Sequence, residues 1–194
     1  MHDVYSSPKS LRNRLQYFSG VLNCTVLSNT DNTLLSRVRR KQFIRQGRSS
    51  SHVLLFDSEK YVYNRATEFM EPIPIEEEPL LVHILDVVNQ RLSTHFNSIL
   101  VNFYANSDTS LPYHKDDERR LDKSVPIATI SIGATRYMEF ARSKSSNPVH
   151  RQQLISNSLF VMDLSTQISY FHRIARAPLP IIERNTVLAL LSEG

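Results

Sequence analysis

His114 and Asp116 stand two residues apart in the segment 112–118. In an extended chain, positions i and i+2 point to the same side, so an imidazole and a carboxylate can reach one ion from there. Two imidazoles and one carboxylate make the facial triad of non-haem iron(II) oxygenases, which leaves three positions for cosubstrate and oxygen. The second imidazole that would complete it is His172, at the end of the run 168–172. Alone, the pair is also what a surface histidine beside an acidic turn looks like. His52, His83, His95 and His150 carry no such signal.

Two β-prone runs supply groups suited to a carboxylate ligand. In Ser98–Tyr104 the apolar residues Ile99, Val101 and Phe103 alternate with Leu100, Asn102 and Tyr104. Asn102 and Tyr104 therefore share a face and can present an amide and a phenol; a half-buried strand with two satisfied polar groups fits the same pattern. Near the C-terminus Arg184, Thr186, Leu188 and Leu190 share a face. An arginine on an apolar face needs a partner, because burying an unpaired guanidinium is costly. A bidentate carboxylate would serve, and so would Glu183 or an edge position.

The remaining pattern says what must position these groups. Leu11, Leu15 and Phe18 recur at helical spacing and predict a first helix over residues 8–19. Two short strands follow, His52–Phe56 and Lys60–Asn64, the second with Tyr61 and Tyr63 on one face. A proline- and glutamate-rich loop over 70–79 leads to Pro79, suited to the first position of a helix. Leu80, Leu81, Ile84, Leu85, Val88 and Leu92 then form an amphipathic stripe. Beyond residue 97 the pattern is all β: Ser98–Tyr104, Ile127–Ile132, Arg136–Ala141, Leu154–Ile155, Ser158–Leu164, Ile168–His172 and Arg184–Leu191. Helices followed by many short strands predict an α+β fold, a double sheet backed by helices, of which the jelly roll is one form. No repeat or low-complexity segment breaks the chain, so one domain over 1–194 is expected, as a monomer.

Composition narrows the function classes. Hydrophobic residues make up 41% and charged residues 22%, the usage of a globular domain rather than a disordered chain. No apolar run is long enough to span a bilayer and no signal peptide is visible. Cys24 is the only cysteine, which excludes an internal disulfide and suits a reducing compartment, cytoplasmic or nuclear. The net charge is +4 and the pI about 9.3, which makes an anionic partner worth considering. Arg37, Arg39, Arg40, Lys41, Arg45 and Arg48 lie within twelve residues without an acid. A solvated basic face reads the same way.

Residues 96–140 carry an N-x-Y strand (Asn102, Tyr104), an H-x-D-D-E segment (His114–Glu118) and a proline-led S-x-G-A-x-R strand (Ser131–Arg136). With His172 and Arg184 following in order, this stretch resembles the core of the AlkB family of 2-oxoglutarate-dependent dealkylases. Tyr61-Val62-Tyr63, the proline-rich loop and the helix after it resemble the family's base-covering lid, so the resemblance spans about 37–191. It implies a double-stranded β-helix (jelly roll) core at about 96–191, backed by N-terminal helices, with a nucleotide-recognition lid and its supporting helix at about 37–95. It implies Fe(II) on His114, Asp116 and His172, and 2-oxoglutarate on Asn102, Tyr104 and Arg184. Asp117 and Glu118 would lie near the base, and Tyr61 and Tyr63 on the lid.

The activity so implied is oxidative demethylation of N-alkylated bases in RNA or DNA. It couples 2-oxoglutarate decarboxylation to methyl hydroxylation and formaldehyde release. The base must be flipped out or already single-stranded, with Arg39, Arg40 and Lys41 gripping phosphates. The family's last strand carries two arginines six positions apart; here Arg184 fits the first and Leu190 occupies the second. Shifting the register by one puts Glu183 and Ala189 there instead. Two other readings stand beside this one: a nucleic-acid-binding module on the same scaffold without turnover, and an oxygenase acting on protein or lipid. AlkB-like domains also occur in polyproteins of some plant RNA viruses, and an excised domain of that kind is one expectation for the source.

Overall fold

Strand alternation after residue 97 builds two antiparallel sheets whose inner faces share a core. The structure, a computed structural model, describes residues 8–23, 26, 43–45, 49–55, 61–62, 69–70, 78–104, 106–117, 121–177 and 185–192. In chain order the elements are α1 (Lys9–Arg12), β1 (Leu15–Ser19), β2 (Phe43–Arg45), β3 (Ser49–Leu55), β4 (Tyr61–Val62), β5 (Phe69–Met70), α2 (Pro79–Leu92) and β6 (Ser98–Tyr104). They continue as β7 (Leu111–His114), β8 (Ile127–Gly133), β9 (Arg136–Ala141), β10 (His150–Leu154), β11 (Ser158–Met162), α3 (Leu164–Ser169), β12 (Phe171–Ile174) and β13 (Asn185–Leu191). The major sheet runs β1-β11-β8-β13-β6-β3-β2 and the minor sheet β10-β9-β12-β7; β4 and β5 pair as a separate hairpin.

Each face of the major sheet has its own core. Ile99, Val101, Ala128, Ile130, Leu159, Val161, Leu188 and Leu190 point outward and pack on Leu81, Ile84, Leu85 and Val88 of α2. At about 1.5–3 kcal/mol per buried aliphatic side chain, those four residues anchor α2 to the sheet. Pro79 starts α2 and Ser93 ends it in the left-handed region (φ 53). Alternate residues Leu100, Tyr104, Ile127, Phe160, Met162, Val187 and Leu191 point inward, meeting Met138, Phe140 and Ile174 of the minor sheet. The functional side chains stand in this inner layer.

The structure corrects several sequence expectations. The helix expected over 8–19 stops at Arg12, and Leu15–Ser19 is a strand paired with β11, Leu15 against Met162 through Ser19 against Ser158. Five residues of edge pairing outweigh a three-residue apolar stripe, which cannot sustain a helix this short. The strand expected over 168–172 is divided. Asp163 accepts from the Thr166 backbone N–H and caps the short helix α3, leaving Ile168 67% exposed, and β12 starts only at Phe171. β7 was not expected at all, since Pro112 obscures it; as an edge strand it tolerates the missing donor.

Candidate metal centre

His114 closes β7 and His172 lies directly across from it on β12. Alternation on β12 turns His172 and Ile174 inward, and His172 is 4% exposed. Asp116 follows β7 by two residues; its backbone N–H donates to Gln167 Oε1 of α3 at 3.3 Å, which ties the carboxylate-bearing loop to the capped helix. The ligand-capable atoms of His114, Asp116 and His172 lie within 4.8 Å of one another. Both contacts to the acid are 3.3 Å: His114 Nε2 to Oδ1 and His172 Nε2 to Oδ2. The two rings stand with centroids 4.2 Å apart.

This donor set fits a six-coordinate ion. With bonds of about 2.1 Å, adjacent ligands of an octahedral ion stand about 3 Å apart, close to the separations found. His114 Nδ1 faces the Pro112 carbonyl at 2.8 Å, and a carbonyl can only accept, so Nδ1 carries the proton. That leaves Nε2 as the atom turned toward Asp116 and able to serve as the metal ligand, an arrangement that a cation between them satisfies. Burial and the nearby His114 lower the His172 imidazole against the opposing pull of Asp116, which favours its neutral, metal-binding form. Burial pushes the Asp116 carboxyl up, but His172 and the two imidazole contacts outweigh it and keep the group well below the usual carboxylate range. An ionised acid and neutral imidazoles are what metal binding requires.

A cavity adjoins these three residues, with Asn102, Tyr104, Thr129, Val187 and Ala189 on its major-sheet wall. Asn102 and Tyr104 thus line the same space as the triad. Leu190 does not: it is fully buried among Ile99, Ile130 and the α2 side chains, on the opposite face of β13. The expectation that Leu190 occupies an arginine position beside the cosubstrate is overturned, because the β13 positions facing the cavity are Val187 and Ala189.

Arg184, Glu118, Tyr63, Arg39, Arg40 and Lys41 lie outside the described residues. Tyr61 begins β4, and Asp117 is exposed beside the triad. Two buried groups near the site were not singled out from the sequence. One is Gln167, whose signal was the Asp163-x-x-Thr166 cap that builds α3. The other is Arg136 of the S-x-G-A-x-R strand, which is fully buried. Its guanidinium donates to the carbonyls of Asn106 and Thr109 and lies 5.3 Å over the Tyr104 ring.

Residues 5–183 match the family model described as the 2OG-Fe(II) oxygenase superfamily. The chain is 32% identical over 124 residues to alpha-ketoglutarate-dependent dioxygenase alkB homolog 3 of Bos taurus, covering 60% of this chain and 42% of that protein. It is 35% identical over 101 residues to DNA oxidative demethylase ALKBH2 of Homo sapiens, covering 48% of this chain and 39% of that protein. The chain thus spans less than half the length of these curated relatives. The solved structure of OsALKBH1 superposes with a TM-score of 0.62 at 16% identity, covering 92% of this chain and 98% of that one, a likeness of fold.

Proposed function

The chain belongs to the 2OG-Fe(II) oxygenase superfamily, and from that premise we propose that it demethylates N-alkylated bases in RNA or DNA. The observation that carries this reading is the convergence of His114, Asp116 and His172 beside the cavity lined by Asn102 and Tyr104. In the proposal the triad holds Fe(II). With 2-oxoglutarate and molecular oxygen as the oxidant, that ion would supply the oxidative chemistry: one oxygen atom goes into succinate as carbon dioxide is lost, and the other goes into the N-methyl group, which leaves as formaldehyde.

The chain's own residues orient and enclose. His114 is fixed by its Nδ1–H bond to Pro112, and Asp116 by Gln167, so two of the three ligands are oriented before an ion arrives. Asn102 and Tyr104 present an amide and a phenol to the 2-oxoglutarate carboxylates. Arg184, which directly precedes β13 in sequence, is proposed as their cationic partner. Leu100, Leu111, Met138 and Ile174 complete an apolar lining that excludes water from the reacting centre.

The nucleic-acid substrate is proposed from the likeness to alkB homolog 3 and ALKBH2 and from the basic run 37–48. A lid over about 37–95, bearing Tyr61 and Tyr63, would cover a single-stranded or flipped base, with Asp117 and Glu118 at its edge and Arg39, Arg40 and Lys41 on phosphates. The domain would act as a monomer. Among the described residues no helix is long and apolar enough to cross a membrane.

The test supplies Fe(II), 2-oxoglutarate and N-methylated single-stranded RNA and DNA oligonucleotides. Succinate and formaldehyde in equal amounts support the proposal, and succinate without formaldehyde from either polymer counts against it and leaves a protein or lipid substrate open. One observation favours a second reading, a binding module without turnover: among the described residues, β13 carries no arginine on its cavity side. Tight oligonucleotide binding with no succinate would select it.

A further inference from the structure

The outer face of the minor sheet carries an ion-pair and stacking network directly behind the two histidines. Arg173 follows His172 on β12 and so points to the opposite face. There it stands across from Glu139 of β9, a buried acid with 5% of its surface exposed. Arg173 donates through Nε at 2.8 Å and Nη2 at 2.7 Å to the same oxygen, Glu139 Oε2. Its guanidinium also lies 4.5 Å over the ring of Tyr113, the residue before His114 on β7. One side chain therefore links the three strands β9, β12 and β7 at the level of the triad.

That link falls where the ladder of the minor sheet is thinnest. Among the described residues β7 is an edge strand paired only with β12, through His172 against His114 and Ile174 against Leu111, and the register shifts between these pairs. A two-pair ladder with an irregularity leaves the spacing of His114 and His172 weakly set by main-chain bonds. Stacking Arg173 on Tyr113 adds a side-chain tie across this gap, and the two bonds to Glu139 hold the guanidinium plane in place. Glu139 has a second partner that serves as an internal control. Arg151 of β10 reaches Oε1 at 3.3 Å and stacks 4.0 Å over Tyr137, but β10 lies on the far side of β9 and carries no member of the triad.

We propose that Arg173, held by Glu139 and stacked on Tyr113, is a positioning residue that sets the separation of His114 and His172 for metal binding. The proposal rests on the reading of the triad as the metal centre. Its test is titration of the full chain with Co(II), followed by the absorption of the bound ion, for the unaltered protein, R173Q, E139Q and R151Q, each checked for folding by circular dichroism. Loss of a partner bonded directly to a metal ligand weakens affinity roughly 10- to 100-fold; Arg173 acts one contact further out, through Tyr113, so a loss at the lower end, about tenfold, is expected for R173Q. Its bound Co(II) spectrum should change with the altered ligand geometry, E139Q should shift both readouts in the same direction by less, and R151Q should leave both unchanged. R173Q with unaltered affinity and spectrum overturns the proposal, as does an R151Q loss equal to that of R173Q, which would mark a general loosening of the sheet. Should R173Q fail to fold, E139Q against R151Q decides, and equal affinities overturn the proposal. If the unaltered protein binds no Co(II), the metal-centre reading itself falls, an outcome separate from intact binding that is insensitive to Arg173.

Discussion

Placing an arginine at position 190 and, separately, at position 189 distinguishes the two faces of β13 by their consequences. Leu190 is fully buried between the major sheet and α2, so Leu190→Arg forfeits about 1.5–3 kcal/mol of aliphatic burial. It also places a guanidinium among the apolar side chains of the major sheet and α2, which costs several kcal/mol more. A total near 5 kcal/mol compares with about 5–15 kcal/mol for the whole stability of a domain. With a urea dependence of about 2 kcal/mol per molar, the unfolding midpoint falls by about 2.5 M, or the variant does not accumulate folded. Ala189 lines the cavity and is only half-buried, so Ala189→Arg keeps the fold. A new ion pair to a 2-oxoglutarate carboxylate there is expected to tighten binding about tenfold, equivalent to about 1.4 kcal/mol. Urea denaturation and calorimetric titration of 2-oxoglutarate into the Mn(II)-loaded proteins read both effects. The reasoning is refuted if Leu190→Arg unfolds at the unaltered midpoint and binds 2-oxoglutarate more tightly while Ala189→Arg does not.

Asn102→Ala and Tyr104→Phe should each weaken 2-oxoglutarate, since a hydrogen bond to a charged group contributes about 1.5–3 kcal/mol, while Mn(II) affinity without cosubstrate holds; unchanged 2-oxoglutarate affinity in both would remove them from the site. His172 is lowered from its ordinary 6.5 by burial, so the unfolded chain takes up the proton first and the metal-free protein loses stability as pH falls below that value. His172→Gln should flatten the decline of melting temperature as pH falls below about 6.5, and a decline as steep as before would assign it elsewhere. Asp163→Ala removes the cap that accepts from Thr166 N–H and should cost about 1–2 kcal/mol in urea unfolding; no change would mean α3 holds without it.

Much of the scaffold was legible because local pattern and tertiary demand agree. Ser98–Tyr104 and Arg136–Ala141 are strands with the expected bounds, and α2 starts at Pro79 with Leu81, Ile84, Leu85 and Val88 of its stripe buried. The His114–Asp116 pair and distant His172 were legible as donor types, although their meeting depends on the β7–β12 pairing, between neighbouring strands of the minor sheet that lie far apart in sequence. What stayed hidden was decided by partners remote in sequence. Leu15–Ser19 becomes a strand because β11 offers an edge, and the polar run His150–Gln153 is a strand because it pairs with β9 at the rim of the minor sheet. The face of β13 was ambiguous for a different reason. Val187, Ala189 and Leu191 meet one core and Leu188 and Leu190 the other, so both faces are apolar and alternation cannot say which borders the cavity.

The claim that His114, Asp116 and His172 form one metal centre is tested most directly by diffraction from crystals grown with Mn(II) in place of Fe(II), using the anomalous signal of the ion. The account predicts a single strong peak in direct coordination with His114 Nε2, His172 Nε2 and one Asp116 carboxylate oxygen. A peak held by other residues, or no peak at the triad at saturating Mn(II), would contradict it.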